Sequence, residues 1–416
     1  SDSYVRQIMK ENLFLSRRIP LLLLLFISCF NISCQATNNK KESSIIIQII
    51  DSTLLVETDE EISFLFMGDF MQHSPQIKAA KDSVGNYDYG HYFDYTNSLI
   101  QNVDFAIANL EVTLAGKPYD GYPRFSSPDE YAVAIQNAGF DVLTTANNHS
   151  NDCGSDGLVR TINVLDSLKF MHLGTYKDSI ERINNYPLII EKKGIKVALL
   201  NYTYGTNGLD TKHPNIVNMI DEEIILQDIQ IARDSNIDKI IVITHWGGEY
   251  RSFPDEYQKK WGEWLLSNGA DIVIGGHPHW VQPAEYRKDS LNNERIIIWS
   301  LGNIISNQRV STMNNMEHTD GGSSLQFSLY RDSTGEVKFK NIGYHLHWVW
   351  LHNKDDRKRY QILPISKSEK ILLNMEEKSK KELNKFIDNE RSLYLQNNIN
   401  VPEFQYNLKS DSYYLE

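Results

Sequence analysis

Carboxylate, amide and imidazole side chains follow five short apolar runs along the chain. These side chains are Asp69, Glu111, Asn148, His149, His245, His277 and His279. In open α/β sheets, ligands bind beyond the carboxyl ends of the strands. Oxygen and imidazole donors together suit Mn, Zn, Fe or Mg better than a metal selected by thiolates. A lone buried histidine is more often an ordinary core residue, but a set of this size predicts a site for one or two divalent metal ions, their identity left open.

Two of the histidines lie in a Gly-His-Pro-His segment at residues 276–279. Residues two apart point to the same side of an extended chain, so His277 and His279 could both reach a pair of metal ions. Gly275 and Gly276 come directly before them, and glycine allows the backbone to turn tightly there. The segment is therefore predicted to present two imidazoles to one site.

The apolar runs are rich in β-branched residues and are typical of strands buried on both faces. They lie at residues 62–67, 104–109, 140–147, 238–245, 270–277 and 295–303. Helical periodicity is found at residues 128–138, 156–168, 221–235 and 255–268. Strands alternating with helices predict an α/β layered domain. Further along, residues 324–330 and 337–350 alternate as antiparallel strands do, and residues 366–396 have the spacing of an amphipathic helix.

The composition is that of an ordinary globular chain. Of the 416 residues, 41% are apolar and 23% charged, and the formal net charge is −12. These values exclude a mainly disordered chain, a collagen-like fibre and a multi-span membrane protein. The acidic balance also argues against a nucleic-acid partner, because a phosphate backbone is bound by clustered Lys and Arg. Three cysteines cannot build a disulfide scaffold.

The N-terminal region is typical of an export signal. Residues 20–30 form an apolar run behind Arg17 and Arg18, which is the layout of a secretory signal and is too short to span a membrane comfortably. Cys34 follows small residues in a manner that resembles the acylated cysteine of bacterial lipoproteins. Cys29 is an alternative anchor, and a plain cleaved signal without lipid is a second alternative.

We therefore predict a signal segment over residues 1–34 and a polar tether over residues 35–60. The remainder would be exported to the bacterial cell envelope and attached to a membrane through the lipid on Cys34.

Six segments carry a resemblance to a known family. They are MGDFM (67–71), IANLEVTL (107–114), GFDVLTTANNHSNDCGSDGL (139–158), THWGGEY (244–250), GADIVIGGHPHWVQPAE (269–285) and WSLGNIISNQ (299–308). The chain resembles the bacterial capsule synthesis CapA family, also called the poly-γ-glutamate synthesis protein family. That family is a branch of the calcineurin-like metallophosphoesterase superfamily. The resemblance implies a four-layer α/β/β/α sandwich of the metallo-dependent phosphatase type over residues 61–350, followed by a helical extension over residues 351–416.

The resemblance also implies a role for each polar residue at the strand ends. Asp69 and His279 correspond to ligands of a first metal, and Glu111 stands where the superfamily has an aspartate that bridges two metals. The implied ligands of the second metal are Asn148, His245 and His277. His149 corresponds to the outer histidine that protonates the leaving group.

Two positions depart from the superfamily pattern. Its first motif is Asp-x-His, but position 71 is Met, so the first site is one imidazole short. His73 could replace that imidazole only if the loop bends back. The bridging acid is Glu111 rather than Asp, and its longer arm could bridge two ions or reduce the site to one.

Five other residues near these motifs are candidates for a functional role, and four of them also have an ordinary interpretation. Asp152 could orient the imidazole of His149 or cap the next helix. Arg124 could bind a carboxylate or phosphate, or it could be an ordinary surface residue. Glu249 and Tyr250 could face a substrate or lie in a solvated loop. Asn303 ends a strand and is expected on the same rim as the ligands, as a further substrate contact.

Four functions remain compatible with the sequence. The favoured one is an anchored accessory protein that acts on an anionic polymer or its precursor, together with capsule synthesis or export proteins. The others are a metal-dependent phosphoesterase, a hydrolase of γ-glutamyl or peptide bonds, and a non-catalytic scaffold.

Overall fold

The computed structural model describes residues 61–354, 356–371 and 374–416. The predicted signal, the tether and the anchor Cys34 lie outside the described residues. Within them, none of the helices has both the length and the apolar character needed to cross a membrane.

The strands of the described chain fall into two large sheets and two small pairings. In chain order they are β1 (Glu61–Phe70), β2 (Phe105–Leu110), β3 (Val142–Thr144), β4 (Met171–Leu173), β5 (Thr175–Tyr176), β6 (Leu188–Lys192), β7 (Ile195–Thr203), β8 (Ile216–Val217), β9 (Lys239–His245), β10 (Ile272–Gly276), β11 (Val281–Lys288), β12 (Glu294–Leu301), β13 (Asn303–Ile305), β14 (Gly321–Arg331), β15 (Val337–Lys354), β16 (Arg357–Pro364), β17 (Gln405–Asn407) and β18 (Ser412–Tyr414).

The α-helices of the described residues mostly connect these strands. They are α1 (Ser74–Ala80), α2 (Asn97–Gln101), α3 (Asp129–Ala138), α4 (Gly154–Ser167), α5 (Ser179–Asn185), α6 (Glu222–Asp234), α7 (Glu256–Asn268), α8 (Ile365–Ser368) and α9 (Glu377–Asn397), with a 3-10 turn at Gly90–Phe93. The helices α3 and α7 end at glycines with positive φ, Gly139 (110°) and Gly269 (120°), as the sequence predicts for these two helix ends.

The larger sheet has the strand order β16-β15-β14-β1-β2-β3-β4. Strands β1 to β4 run parallel, whereas β14, β15 and β16 are antiparallel to their neighbours. The short strand β13 pairs with the end of β1, where Asn303 lies beside Asp69.

The smaller sheet has the order β11-β12-β10-β9-β7-β6. Its four central strands are parallel and its two edge strands are antiparallel. In both sheets the parallel strands therefore bring several carboxyl ends to one edge.

The two sheets pack face to face. Phe64 and Phe66 of β1 belong to the same buried cluster as Leu199 and Ile297 of the smaller sheet. Leu65 points to the other face of β1, into a second cluster built with α3. Both faces of β1 are thus buried, which explains its continuous apolar run. Helices α6 and α7 cover the outer face of the smaller sheet, and the predicted four-layer sandwich is confirmed.

Three parts of the chain differ from the sequence analysis. The predicted boundary at residue 350 falls inside β15, which continues to Lys354, and β16 then adds an edge strand to the larger sheet. The strands β6 and β7 were not singled out, although β7 lies inside the smaller sheet. In place of the single helix predicted over residues 366–396, the structure has two helices, because α8 ends at Ser368 and α9 begins at Glu377.

The inter-sheet core yields a stability prediction. Phe64 is 0% exposed, and its ring centroid lies 5.3 Å from that of Phe327 and 5.6 Å from that of Phe105. Phe64→Ala should lower the free energy of unfolding by about 3–5 kcal/mol, because it removes buried contacts and leaves a cavity. Urea unfolding measures this loss. Val84→Ala, at a side chain that is 80% exposed, is the control, and an equal effect of both variants would contradict the assignment of the core.

Candidate metal centre

The carboxyl ends of the parallel strands bring the predicted polar residues together. Asp69 lies near the end of β1, Glu111 directly follows β2, and His245 is the last residue of β9. Asn148 and His149 lie in the turn after β3, and His277 and His279 lie between β10 and β11. Each sheet thus supplies part of the set. These residues are all buried.

Asp69 is fixed by a close approach of two backbones. Its N–H donates to the carbonyl of Gly302 at 2.9 Å, and a Cβ on Gly68 would lie 2.1 Å from that same oxygen. Position 68 therefore excludes any side chain. The carboxylate accepts hydrogen bonds from the Asn109 side chain at 2.8 Å and from the backbone N–H of His277 at 3.1 Å.

Two groups of donor atoms share Glu111. The first group is Asp69, Glu111 and His279, and the second is Glu111, His245 and His277; within each group the ligand atoms lie within 4.8 Å of one another. The Nε2 atom of His245 lies 3.4 Å from Glu111 Oε1 and 2.9 Å from the Asn148 side-chain oxygen. Glu111 thus belongs to both groups, and its role as a bridging ligand stays a prediction from the resemblance.

The donor set fits a divalent cation. Both carboxylate oxygens of Glu111 and Nδ1 of His277 are buried without a hydrogen-bond partner, which is costly for polar groups unless something binds them. Burial lowers the pKa of His245 to about 4 and that of His279 to about 3. Both imidazoles are therefore neutral at physiological pH, as metal ligation requires.

Backbone strain is concentrated at the same place. His277 (φ 95°), His279 (φ 61°) and Tyr250 (φ 58°) all adopt the left-handed region, which costs non-glycine residues free energy and often marks functional sites. The Tyr250 N–H donates to the carbonyl of Pro278 at 2.8 Å, so the loop after β9 is tied to the Gly-His-Pro-His turn.

Asn303 and Tyr250 contact His279. Nδ1 of His279 lies 2.9 Å from the side-chain oxygen of Asn303, a contact that orients an imidazole toward a metal. The Tyr250 ring lies 5.7 Å from the His279 ring, and its hydroxyl accepts a hydrogen bond from Gln308 at 3.1 Å. From the sequence, Tyr250 is expected to face a substrate or lie in a solvated loop, and Asn303 is expected on this rim. Both residues lie beside His279, and their contact with a substrate stays a prediction.

A second polar unit lies next to the donor groups. Nδ1 of His149 is 2.8 Å from Asp152 Oδ2, which also accepts from the backbone N–H of Phe125 at 2.8 Å. The Arg124 side chain donates through Nε to the backbone carbonyl of Asp152 at 2.8 Å. Burial lowers the pKa of His149, but the Asp152 hydrogen bond and the charge of Glu111 outweigh it and raise the pKa above its usual value.

The two residues at the departing motif do not join either donor group. Met71 packs in the outer core of the larger sheet with Phe70. Nδ1 of His73 accepts the backbone N–H of Asn307 at 3.3 Å, and its ring packs edge-on against Phe125 at 5.3 Å. His73 is thus not among the residues whose donor atoms converge in the two groups.

Three residues of the site were not anticipated. Asn109 orients Asp69, as described above. Tyr204 packs its ring 4.6 Å from that of His277, and the side-chain oxygen of Asn207 accepts from Asn148 at 3.3 Å. Tyr204 and Asn207 follow β7, so recognising the apolar run at residues 195–203 as a strand would have pointed to them.

The chain is an α/β sandwich with a cluster of candidate metal ligands at the strand ends of its two sheets. The family model described as bacterial capsule synthesis protein PGA_cap matches residues 63–308, and the chain belongs to that family. It is 28% identical over 262 residues to capsule biosynthesis protein CapA of Bacillus anthracis, with 60% of this chain and 61% of the relative covered. It is 26% identical over 296 residues to PGA biosynthesis protein CapA of Bacillus subtilis, with 69% and 73% covered.

A more distant match is a 5'-nucleotidase of Diplobatis ommata, 24% identical over 177 residues, with 41% of this chain and 29% of that protein covered. The match to the Bacillus anthracis protein spans less than two thirds of that relative's own length. The family and the two Bacillus relatives support a capsule-related role for this chain.

The shared carboxylate predicts unequal effects of two substitutions on metal content. Glu111→Gln should remove both ions, because both donor groups use this side chain, whereas His277→Ala should remove only the ion of the second group. Elemental analysis of protein purified without chelator gives the count. The control is His352→Ala, a histidine outside both groups, which should keep the wild-type content. Two ions retained in Glu111→Gln would show that the carboxylate is not shared.

Metal binding should weaken as the pH falls. Burial, aided by the Glu111 charge, raises the pKa of Asp69 to about 7, and burial raises that of Glu111 to about 8. These carboxyls therefore hold protons near neutral pH in the metal-free protein, and a cation must displace them. Titration calorimetry with Mn²⁺ in buffers of different ionisation enthalpy should show proton release, with weaker apparent affinity at pH 6 than at pH 8. Equal affinity at both pH values would contradict this.

Proposed function

We propose that this protein is an exported, envelope-anchored metal-binding protein that acts on an anionic capsule polymer, such as poly-γ-glutamate, or on its precursor. The family and the two Bacillus relatives support the capsule role. The N-terminal sequence, with Cys34 after an apolar run, supports export and lipid attachment. Partners would include the proteins that synthesise or export the polymer.

The observation that carries a hydrolase-type site is the position of Glu111. It is shared by two donor groups and lies beside the hydrogen-bonded pair His149 and Asp152. Two divalent ions held this way would activate water and polarise the bond to be cleaved.

The chain's own residues complete this chemistry. Asp152 holds Nδ1 of His149, which leaves Nε2 to deliver a proton to a leaving group. Because Asp152 also accepts the N–H of Phe125, the imidazole is fixed to the loop that carries Arg124. The Arg124 guanidinium, at an exposed position, supplies a cation for a carboxylate or phosphate.

The net charge of the protein makes this local cation important. A formal charge of −12 repels a polyanion at long range, so binding of the polymer would depend on the metal centre and Arg124. Binding should therefore weaken when the metal is removed by a chelator.

A phosphoester is the second candidate substrate. The likeness to a 5'-nucleotidase favours it, and the same donor groups would serve either reaction. A hydrolase of γ-glutamyl or peptide bonds is a third candidate, since poly-γ-glutamate contains γ-glutamyl bonds. A scaffold that binds the polymer without cleaving it is a further outcome of the test below.

The test compares wild type with His149→Asn and Asp152→Asn. Each protein, loaded with Mn²⁺, is incubated with poly-γ-glutamate and separately with a chromogenic phosphodiester. On the substrate that is cleaved, His149→Asn should lower kcat by about 10²–10⁴-fold, because it removes the proton donor. Asp152→Asn should cause a smaller loss, since it only disturbs the orientation of the imidazole.

Elemental analysis accompanies these assays, because neither variant should lose metal. Cleavage of the phosphodiester alone would favour the phosphoesterase, and binding without cleavage would favour the scaffold. A wild-type protein that neither binds nor alters the polymer would refute the proposed capsule substrate.

A further inference from the structure

The two donor groups are unequal. The second group has Glu111, His245 and His277, and the side-chain oxygen of Asn148 lies 2.9 Å from His245 Nε2 as a fourth donor. The first group has only Asp69, Glu111 and His279. An ion with tetrahedral or octahedral coordination needs at least one more donor in the first group.

Neither residue expected near that missing position belongs to a donor group. Met71 is 1% exposed and lies in the outer core, and His73 is not among the residues whose donor atoms converge in the two groups. Donors on other elements are therefore candidates for the missing position.

Glu249 lies on the open side of the first group. Its Oε1 atom is 3.9 Å from Nε2 of His279, the nitrogen that remains for a metal because Nδ1 is engaged by Asn303. The Glu249 side chain is 44% exposed, against 2% for His279. It therefore covers the imidazole from the solvent side.

The backbone around Glu249 is held in place. The N–H of Gly248 donates to Asp255 at 2.9 Å, and the N–H of Tyr250 donates to the carbonyl of Pro278 at 2.8 Å. The loop thus fixes the backbone of Glu249 next to the Gly-His-Pro-His turn, and the Glu249 side chain is 44% exposed.

We propose that Glu249 is a ligand of the first metal ion, a carboxylate that takes the place of the imidazole missing at Met71. This inference rests on the proposed metal centre. It gives the first ion Asp69, Glu111, Glu249 and one imidazole, whereas the second ion has two imidazoles. Carboxylate-rich sites favour Mg and Mn, and imidazole suits Zn, so the two sites differ in metal preference.

The test measures metal binding directly. Wild type, Glu249→Gln and the matched control Glu256→Gln, whose side chain is 92% exposed at the start of α7, are titrated with Mn²⁺ and Zn²⁺ by calorimetry. Bound ions are counted after dialysis. Wild type and Glu256→Gln should bind two ions, whereas Glu249→Gln should bind one ion as tightly as wild type and the other at least about tenfold more weakly.

A second variant tests the ligand chemistry. Glu249→His should retain two ions, because it supplies a donor of the kind that position 71 lacks. It should also shift the weaker site from a preference for Mn²⁺ toward Zn²⁺. Circular dichroism and the melting temperature show whether each variant is folded, which is expected at this exposed position.

Three results would overturn the inference. The first is a Glu249→Gln protein that has the metal count and affinities of wild type. If that variant also lost turnover, Glu249 would be a substrate contact and not a metal ligand. The second is a Glu249→His protein that loses an ion. The third, a wild-type protein that binds no metal, would refute the proposed metal centre as a whole and is recognised by the wild-type titration alone.

Discussion

The carboxyl groups of Asp69 and Glu111 are wholly buried where the ends of two sheets meet. Removing a carboxylate from water costs several kcal/mol unless other groups compensate for the lost hydration. Asp69 is compensated by the Asn109 amide and the His277 N–H, but neither oxygen of Glu111 has a hydrogen-bond partner among the described residues. Divalent cations bound between these carboxylates and three neutral imidazoles would resolve this imbalance, and the surrounding structure holds those groups close together.

The layers of the fold create the required convergence. The larger sheet contributes Asp69 and Glu111 from neighbouring parallel strands, and the smaller sheet contributes the three histidines. Gly68 and the strained turn at His277 and His279 allow backbones to approach closely at that edge. The apolar packing between the sheets therefore holds the residues from the larger sheet at a fixed distance from those of the smaller sheet, because packed cores resist small displacements.

Residues in the loops around this edge contact the histidines of the site and orient them. Asn303 and Tyr250 lie against His279, and Asp152 holds His149. Met71 packs in the outer core of the larger sheet. Its side chain therefore adds an apolar contact where the superfamily motif has an imidazole ligand. The Glu249 carboxylate, on the loop after β9, lies 3.9 Å from Nε2 of His279. It is the group that we propose as a replacement for the missing donor.

The strands that carry the ligands could be recognised from the sequence, because burial on both faces leaves a continuous apolar run and a polar residue where each run ends. The runs before Asp69 and His245 are examples. Local patterns could not reveal β7 as an inner strand or the place of Tyr204 and Asn207 at the site, since these follow from pairing between distant segments. The sequence likewise could not tell whether His73 reaches the metal centre or which side of His279 remains open. Those outcomes depend on hydrogen bonds such as Asn307 to His73 and Asn303 to His279, which join residues far apart in the chain and exist only once the two sheets have packed.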